Sequence, residues 1–589
     1  MVGKRTFKNA LLVMFHSISS EGDLAEGGII AISRNANKVD GNKMKRNKLP
    51  KFSKKLIAAA VFSMCGASNV TAQEESSLEE IVVTGIRASL SQAADVKQND
   101  SRIVDAIVAE DIGKLPDNNI AEALQRVTGV SLNRDFGVGE GVSIRGLPQN
   151  RVELNGRTTV GDSRDGISLD DFPSSFVRAI EVVKSPTADM IEGALGGTVS
   201  LKTFRPLELK GLTIGGSVDG EYADKTEEWA PIVNGSIGNN WDLGDAGEIG
   251  AILNVSYQDR EIRQDNFNNN QTIIAEGSAN HAILSDLVGP SGTPSGAYVI
   301  RDQNTLETFT EQRERTAVNL ALQWAPASGA GSVYLDVNTT DRSGSQDGNQ
   351  ILEVAGAPQF DGRTTVDTRT GHINNYGLDG TFAIPKSWSE FRETESTSSA
   401  LGFEWRFLDE RLTVSGEISE ASSDSVQPRT EFNLRPINRT AFETYADAYE
   451  IGDNFDAVCR GEFNCRFQPN LYYSQSGGNI PSVTFTDPVT GARINPYLDP
   501  ENLTFRALFY NEAFTENDES AIRLDLAFDT GSEVIHTLKA GYRTTERDYR
   551  FTNNQVIIDG EATRTIYSLE HLLISAHLIK DLLLRASPI

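Results

Sequence analysis

At 589 residues the chain exceeds one ordinary domain, and its length fits two to four units or one large barrel with an attachment. With 39% hydrophobic and 23% charged residues it is neither disordered nor fibrous, and 51 glycines among many short alternating runs lean it toward β structure. A formal charge of −27 argues against a polyanionic nucleic acid as partner and leaves cationic or neutral ligands and metal complexes open.

The first 72 residues read as an export signal rather than as fold. Met44-Lys-Arg-Asn-Lys-Leu-Pro-Lys-Phe-Ser-Lys-Lys55 is a basic start, and Leu56–Ala67 is an apolar run too short to cross a bilayer. Val70-Thr-Ala72 is then a small-x-small cleavage site before Gln73. Either Met44 is the true start and residues 1–43 are upstream sequence read as protein, or the leader is unusually long. Met64 is too large to precede a lipidated cysteine, which argues against a lipoprotein at Cys65. The leader holds twelve basic against four acidic side chains, so the remainder is more acidic than the whole. Export also decides how Cys459-Arg-Gly-Glu-Phe-Asn-Cys465 is read: Cys459 and Cys465 are expected to form a loop disulfide. Metal ligation there needs two further soft ligands nearby, and none is in view.

Residues 73–94 are a polar lead-in around one short greasy run, Glu80-Ile-Val-Val-Thr-Gly-Ile-Arg87. These residues are strand-prone, and an isolated strand must find a sheet in its own chain or in another protein. Residues 95–208 read as a compact mixed α/β domain. Its strands are expected at Ile103–Val108, Gly129–Asn133, Val142–Arg145, Arg151–Asn155, Ala179–Lys184 and Gly197–Thr203. One helix is well marked. Asn119 caps it, Glu122 holds the capping-box position, Ile120, Ala123, Leu124 and Val127 make its apolar stripe, and Gly129 closes it.

From Gly211 the texture changes to long two-sided strands. Leu212, Ile214, Val218 and Tyr222 share one face, and Thr213, Ser217, Asp219 and Glu221 the other. The pattern recurs through Ile249–Tyr257, Val318–Trp324, Leu401–Phe407 and Ile522–Phe528. Strands of about ten residues with period 2 and aromatic ends suit a transmembrane β-barrel, but equally a soluble sandwich or propeller with one buried face. The connections favour the barrel. Short links at Leu243–Glu248, Ala325–Gly331 and Leu408–Arg411 alternate with long polar ones at 259–313, 342–395 and 421–519, the arrangement of an outer-membrane barrel with two unlike rims. The expected fold class is a compact mixed α/β domain followed, over 209–567, by an antiparallel transmembrane β-barrel.

No catalytic set emerges, and neither enzyme activity nor a cofactor is expected. After the leader the histidines stand at 281, 372, 536, 571 and 577, without zinc-like spacing. Gly137-Val-Gly-Glu-Gly-Val lacks the lysine and the strand–helix context of a phosphate loop.

A series of phrases does stand out. Glu79-Glu-Ile-Val-Val-Thr-Gly85 resembles the TonB box of TonB-dependent outer-membrane receptors. Ile120-Ala-Glu-Ala-Leu-Gln-Arg-Val-Thr-Gly-Val-Ser-Leu132, Val142-Ser-Ile-Arg-Gly146, Val152-Glu-Leu-Asn-Gly156, Ala179-Ile-Glu-Val-Val-Lys-Ser-Pro186 and Gly193-Ala-Leu-Gly-Gly-Thr-Val-Ser-Leu-Lys-Thr203 resemble that family's plug motifs, in order. The resemblance implies a plug inside a 22-stranded barrel, a ligand bound on the extracellular side, and uptake across the outer membrane driven through TonB. The partners implied are TonB, outer-membrane lipid and a small ligand. Ile86-Arg-Ala-Ser-Leu90 and Lys114-Leu-Pro-Asp-Asn118 resemble a branch linked to oligosaccharides, with a siderophore or iron-complex ligand as the alternative. A rival from another class is a secreted β-rich binding or hydrolytic protein.

Residue by residue, the resemblance assigns Glu80, Ile81, Val82, Val83 and Thr84 to the TonB box, a strand-like handle for edge pairing. It makes Arg145 and Glu181 candidates for buried plug-to-barrel ion pairs, or else ordinary strand-end charges. Arg134, Asp135 and Phe136, and Arg157 through Arg164, look like apical ligand-contacting loops or solvated turns. Ala179 and Ser185 stand where the family reads arginine and glycine, with Arg178 next door to supply the charge. About ten strands fit between 211 and 567, under half the implied number. Beyond Tyr567 the spacing of Leu569, Leu572, Leu573, Ala576, Leu583 and Leu584 turns helical. The tail 568–589 is expected to reflect a frameshift or truncated frame near 565–570, or a genuine short variant. The chain as given is not expected to close its barrel.

Overall fold

A computed structural model describes residues 76–109, 119–162, 169, 172–354, 360–380, 382–436, 469–474, 482–494, 503–532 and 534–559. All belong to one compact unit, Met64–Ile566. The leader, Arg164, Cys459, Cys465 and the tail from 568 lie outside the described residues.

The first described element is α1 (Ser76–Asn99), followed by β1 (Val104–Val108), α2 (Ile120–Leu124), the hairpin β2 (Val130–Asp135) and β3 (Val138–Ile144), β4 (Arg151–Leu154), β5 (Arg157–Thr158), β6 (Val177–Val183) and β7 (Thr198–Thr203). Five of these strands form one sheet in the order β1-β6-β7-β4-β5, with β4 and β7 parallel. The expected helix forms as its cap chemistry dictates: Asn119 is extended, and its side chain accepts the Ala121 N–H at 2.7 Å. Ile120, Ala123 and Leu124 are fully buried with Phe176, Ile180 and Leu201 in the core of this small domain. The one strand that departs clearly from expectation is β3, which begins at Val138 rather than Val142. Phe136 and Gly137 both take positive φ (50° and 77°), closing a two-residue hairpin that lets the strands pair right up to the turn.

The greasy run at 80–87 is corrected by the structure: it is helical, within α1, and so is the expected boundary at 94/95. The run Ala88-Ser-Leu-Ser-Gln-Ala-Ala-Asp-Val-Lys-Gln98 is rich in helix formers, and once it nucleates a helix, extension toward the N-terminus proceeds at a penalty of only tenths of a kcal/mol per β-branched residue.

The second part is a wall of long antiparallel strands. In chain order it adds β8 (Thr213–Ala223), β9 (Glu228–Asp242), β10 (Glu248–Ile274), α3 (Ala279–Val288), β11 (Tyr298–Ala325), β12 (Gly331–Val354), β13 (Thr365–Val366) and β14 (Ile373–Leu378). It continues with β15 (Phe382–Phe407), β16 (Leu412–Pro436), β17 (Asn470–Ser474), β18 (Ser482–Thr486), β19 (Arg493–Ile494), β20 (Leu503–Asp529) and β21 (Thr537–Asp559). Nine of these form one sheet, β21-β20-β16-β15-β12-β11-β10-β9-β8; among the described residues its end strands β8 and β21 are not joined, so the wall is open. The alternating apolar residues point outward: Leu212 is 66% exposed and Val218 70%. From Ile249 to Tyr257 that outward stripe runs about 27 Å along the strand, close to the length of the tilted strands that cross a membrane's apolar band. Trp324 and Trp405 (6.4 Å apart) stand at one border, Tyr222 and Trp229 (5.2 Å) at the other. Among the described residues no helix is long and apolar enough to cross a membrane.

The expected long polar connections are largely strand. β10 alone, 27 residues, runs about 90 Å, far past the apolar band. Above the band both faces are wet, so Gln258-Asp-Arg-Glu-Ile-Arg-Gln-Asp-Asn-Phe carries no two-sided signal while its backbone goes on pairing with β11. The remaining connections fold on each other. β13-β14-β17-β18-β19 make a five-stranded sheet that buries Leu284 of α3 with Tyr298, Tyr376 and Tyr473. Tyr376 and Tyr473 stack at 4.7 Å, and their hydroxyls are held by Asn304 (2.6 Å) and Arg301 (2.8 Å).

Candidate functional site: the contact between plug and wall

The small domain meets the inner face of the wall through a hairpin whose geometry is set by two residues. Asn155 and Gly156 take positive φ (52° and 80°), the conformation that Asn-Gly adopts most readily in a two-residue hairpin. Asn155 is pinned to β7, its amide donating to Thr203 Oγ1 at 2.9 Å and its carbonyl oxygen accepting the Thr203 N–H at 3.0 Å. The turn therefore delivers the next residue, Arg157, into the wall. Arg157 donates to Asp336 at 3.0 Å and to Glu417 at 3.0 Å, and its side chain is 8% exposed. Arg205, just after β7, donates to both oxygens of Asp336 at 3.0 Å and lies 4.1 Å above the Tyr334 ring. The Tyr334 hydroxyl donates to Glu417 at 2.7 Å. Two cations thus meet two carboxylates with every partner engaged, which burial requires. Burial alone would favour a neutral Arg157, but Asp336 and Glu417 outweigh it and hold the guanidinium above its ordinary value.

Above this latch the contact is looser. Asn517 donates to the Gly161 carbonyl at 3.0 Å, and Arg392 reaches Asp162 at 3.4 Å. Between the two parts lies a small cleft open to solvent, bounded by Leu154 and Phe172 on one side and Asn338, Thr340 and Ser396 on the other. Small neutral groups make much of its wall, where Asn319 donates to Asn338 at 2.7 Å and Ser396 and Ser423 share a hydrogen bond at 2.9 Å, and the charged Arg157, Glu420 and Glu519 also border it. Higher still, Phe136 packs edge-on against Phe309 (5.0 Å), and Phe309 lies 5.9 Å from Trp388. Phe309, Gly348 and Trp388 occupy one row across β11, β12 and β15, and the Trp388 indole lies over Gly348 where a Cβ would stand. Gly348→Val is therefore expected to expel the indole from the row, and tryptophan fluorescence of the variant should shift; an unchanged spectrum would place Trp388 elsewhere.

The expected site residues fall out differently from their assignment. Arg157, expected to face ligand, is buried in the latch, because the hairpin that displays it faces the wall. Glu181 is buried inside the small domain's own sheet, bonded to Lys202 of β7 rather than to the wall, since its strand lies between β1 and β7. Arg145 is exposed on a positive-φ turn (55°), its side chain without an ion pair among the described residues. Arg178 pairs with Glu208 at 3.0 Å. Arg134 reaches Glu122 at 3.1 Å and Gln125 at 3.2 Å on the surface of α2, so Glu122 serves an ion pair where a capping box was expected. Asp135 ends β2, and Phe136 is buried at 6%. Asp336, Glu417 and Arg205 were missed. A signal existed: Asp336 and Glu417 are acids on the face opposite the apolar stripe, at the height of the band, where a lone charge demands a partner.

Residues 96–198 match the family model described as TonB-dependent Receptor Plug Domain. The chain is similar to the vitamin B12 transporter BtuB of Photobacterium profundum, 27% identical over 177 residues, which are 29% of this chain and 28% of that protein. The aligned region thus spans little more than a quarter of that relative. Among solved structures, the ferric citrate transporter FecA in its unliganded form aligns over 78% of this chain and 79% of its own, at 11% identity and TM-score 0.26. The siderophore receptor PirA from Acinetobacter baumannii aligns over 78% of both chains, at 12% identity and TM-score 0.25. Scores this low support no inference about shape.

Proposed function

We propose that the protein takes up a scarce ligand across the outer membrane, energised through TonB, a reading supported by the match of residues 96–198 to the TonB-dependent receptor plug domain. The observation that carries this reading is the latch. A separate small domain is held against the inner face of a membrane-height wall by a few buried ion pairs, flanked by looser polar contacts. That is a gate built to be released. The outer membrane holds no ATP, so release requires mechanical work from a partner, and Glu80–Thr84 is the segment we assign to it. Those residues lie in the first part of α1, where Ile81, Val82, Val83, Thr84 and Gly85 are poor helix formers. Unwinding them costs little and yields a strand for edge pairing. Transport, not catalysis, is the activity proposed.

The ligand we favour is an oligosaccharide, supported by the Ile86–Leu90 and Lys114–Asn118 phrases. A second reading, a siderophore or other iron complex, is favoured by what the compared structures are named for. Deleting residues 80–84 should abolish uptake while ligand binding to outer membranes persists. Uptake that survives the deletion refutes the coupling, and recovery of the protein from the soluble medium refutes the membrane reading. Growth of gene-intact and gene-disrupted strains on candidate sugars against iron-limited medium separates the two ligands.

A further inference from the structure

The inner face of the wall is layered by charge. Contacts with the plug at Ala317, Asp336, Arg392, Glu417 and Asn517 establish which residues of each strand point inward. Above the neutral Asn and Ser rows come two successive inward rows whose charged members are all arginine. Arg315 and Arg342 are cross-strand neighbours in the first; Arg260, Arg313 and Arg392 follow one another through Gly344 in the second. The other described positions of these rows across β10–β16 hold Gln258, Thr394, Ser425 and Gln427, with no carboxylate. Arg260, Arg313, Arg315 and Arg342 are each 7–8% exposed. In a chain of −27, five guanidinium groups gathered on one belt are a marked local reversal.

Several carboxylates already sit on the belt from its margins. Glu311 bonds Arg313 at 2.8 Å and Glu221 bonds Arg260 at 2.9 Å, both from the wall itself. Asp162 alone among these comes from the plug, and at 3.4 Å its pair with Arg392 is longer than the 3.0 Å pairs of the latch. Glu390 of the wall reaches the same guanidinium at 3.7 Å, so Asp162 is the plug's share of that pair and the part that a carboxylate arriving from outside replaces. The aromatic row Phe309–Trp388 stands two rows higher, about 14 Å along the strands, and offers a flat apolar face to the same visitor.

We propose that the arginine belt is the anion-binding part of the ligand site, and that the ligand carries several carboxylates, with one of them displacing Asp162 from Arg392. The proposal rests on the receptor reading and narrows it. Whole-chain charge had pointed to cationic or neutral ligands; the belt reverses that expectation, because planar guanidinium groups in a partly dehydrated lumen bind carboxylates in two-point geometry. Two sources share this chemistry, an acidic oligosaccharide and a ferric carboxylate chelate.

The test measures binding of three probes to the full-length protein in outer-membrane fractions: trigalacturonate, its neutral methyl ester, and ferric citrate. At least one of the two acids should bind, which one identifying the source, and the binding should weaken with salt. Trigalacturonate, if it is the source, should bind at least about tenfold more tightly than its ester. Arg342→Gln with Arg392→Gln should weaken the bound acid at least about tenfold, whereas Asp162→Asn, which removes the competing carboxylate, should tighten it a few-fold. The Asp162 variant guards against a double variant that merely misfolds. Equal binding of acid and ester, no binding of either acid, or an Asp162→Asn variant with weakened or unchanged affinity overturns the proposal. Binding needs no energy source, so a protein that binds acid but does not transport it refutes the uptake reading alone.

Discussion

Arg157→Ala is expected to unlock the plug. The substitution leaves Glu417 without its guanidinium and Asp336 with Arg205 alone, both carboxylates in a setting where the Arg157 pairs are nearly buried. Removing one member of a buried pair costs about 3–5 kcal/mol, because the remaining charge stays dehydrated. That is a large share of the stability of a domain of some hundred residues. The plug should become sensitive to protease at the β4–β5 hairpin, and cells should admit large antibiotics that the intact gate excludes. Neutralising the orphaned acid as well, in Arg157→Met with Glu417→Gln, should recover most of the loss, since an uncharged pair leaves nothing unpaired. Arg145→Ala supplies the contrast: its side chain is exposed and should be close to neutral. If Arg157→Ala keeps wild-type protease resistance, the latch does not hold the plug.

What could be read from the chain alone follows from how local each feature's cause is. The α2 cap at Asn119 is settled by residues within a few positions, so it was visible. The outward stripe was equally plain, because lipid and lumen impose opposite demands on alternate residues. The same rule explains what was hidden. Where both faces are wet, as along Gln258–Asn270, alternation vanishes and strand reads as loop. The run Ile81–Thr84 misled in the opposite sense: its propensity is strand-like, but the helix formers that follow carry it into α1. Arg157 was picked out as important and given the wrong neighbour, since Asp336 and Glu417 lie 179 and 260 residues away in the chain and only the fold brings them to it.

The second large effect is expected from Asp105→Ala, and it bears on how a pull at residues 80–84 reaches the gate. Helix α1 is bonded to β1 at two points: Ser89 Oγ donates to the Val108 carbonyl at 2.5 Å and Lys97 Nζ to Asp105 at 2.5 Å. Asp105 also accepts Lys184 Nζ at 2.5 Å, and Lys184 donates onward to the Thr128 carbonyl at 2.6 Å. One carboxylate therefore joins the helix, β1 and the end of β6. Lys97 is 62% exposed, so its pair contributes under about 1 kcal/mol. Lys184 is only 8% exposed, and leaving it unpaired costs about 3–5 kcal/mol. Acid should mimic the substitution. Burial pushes the Asp105 carboxyl up, but Lys184 and Lys97 more than reverse this and hold it below the usual carboxylate range. Asp100, forked by Arg102, is held at about 2. Both groups are depressed in the folded state, so their stabilisation is fully present above the unfolded value of about 4 and is lost as pH falls toward about 2. Hydrogen exchange of the α1 and β1 amides should thus be flat from neutral pH to about 5 once corrected for intrinsic rates, and should quicken below about 4. In Asp105→Ala it should be faster at every pH and lose much of that acid step. Such a variant should still bind ligand and still offer residues 80–84 to TonB, yet transport poorly, because the force would unravel α1 before it reached Arg157. Normal transport with a loosened α1 would show that the pull takes another route.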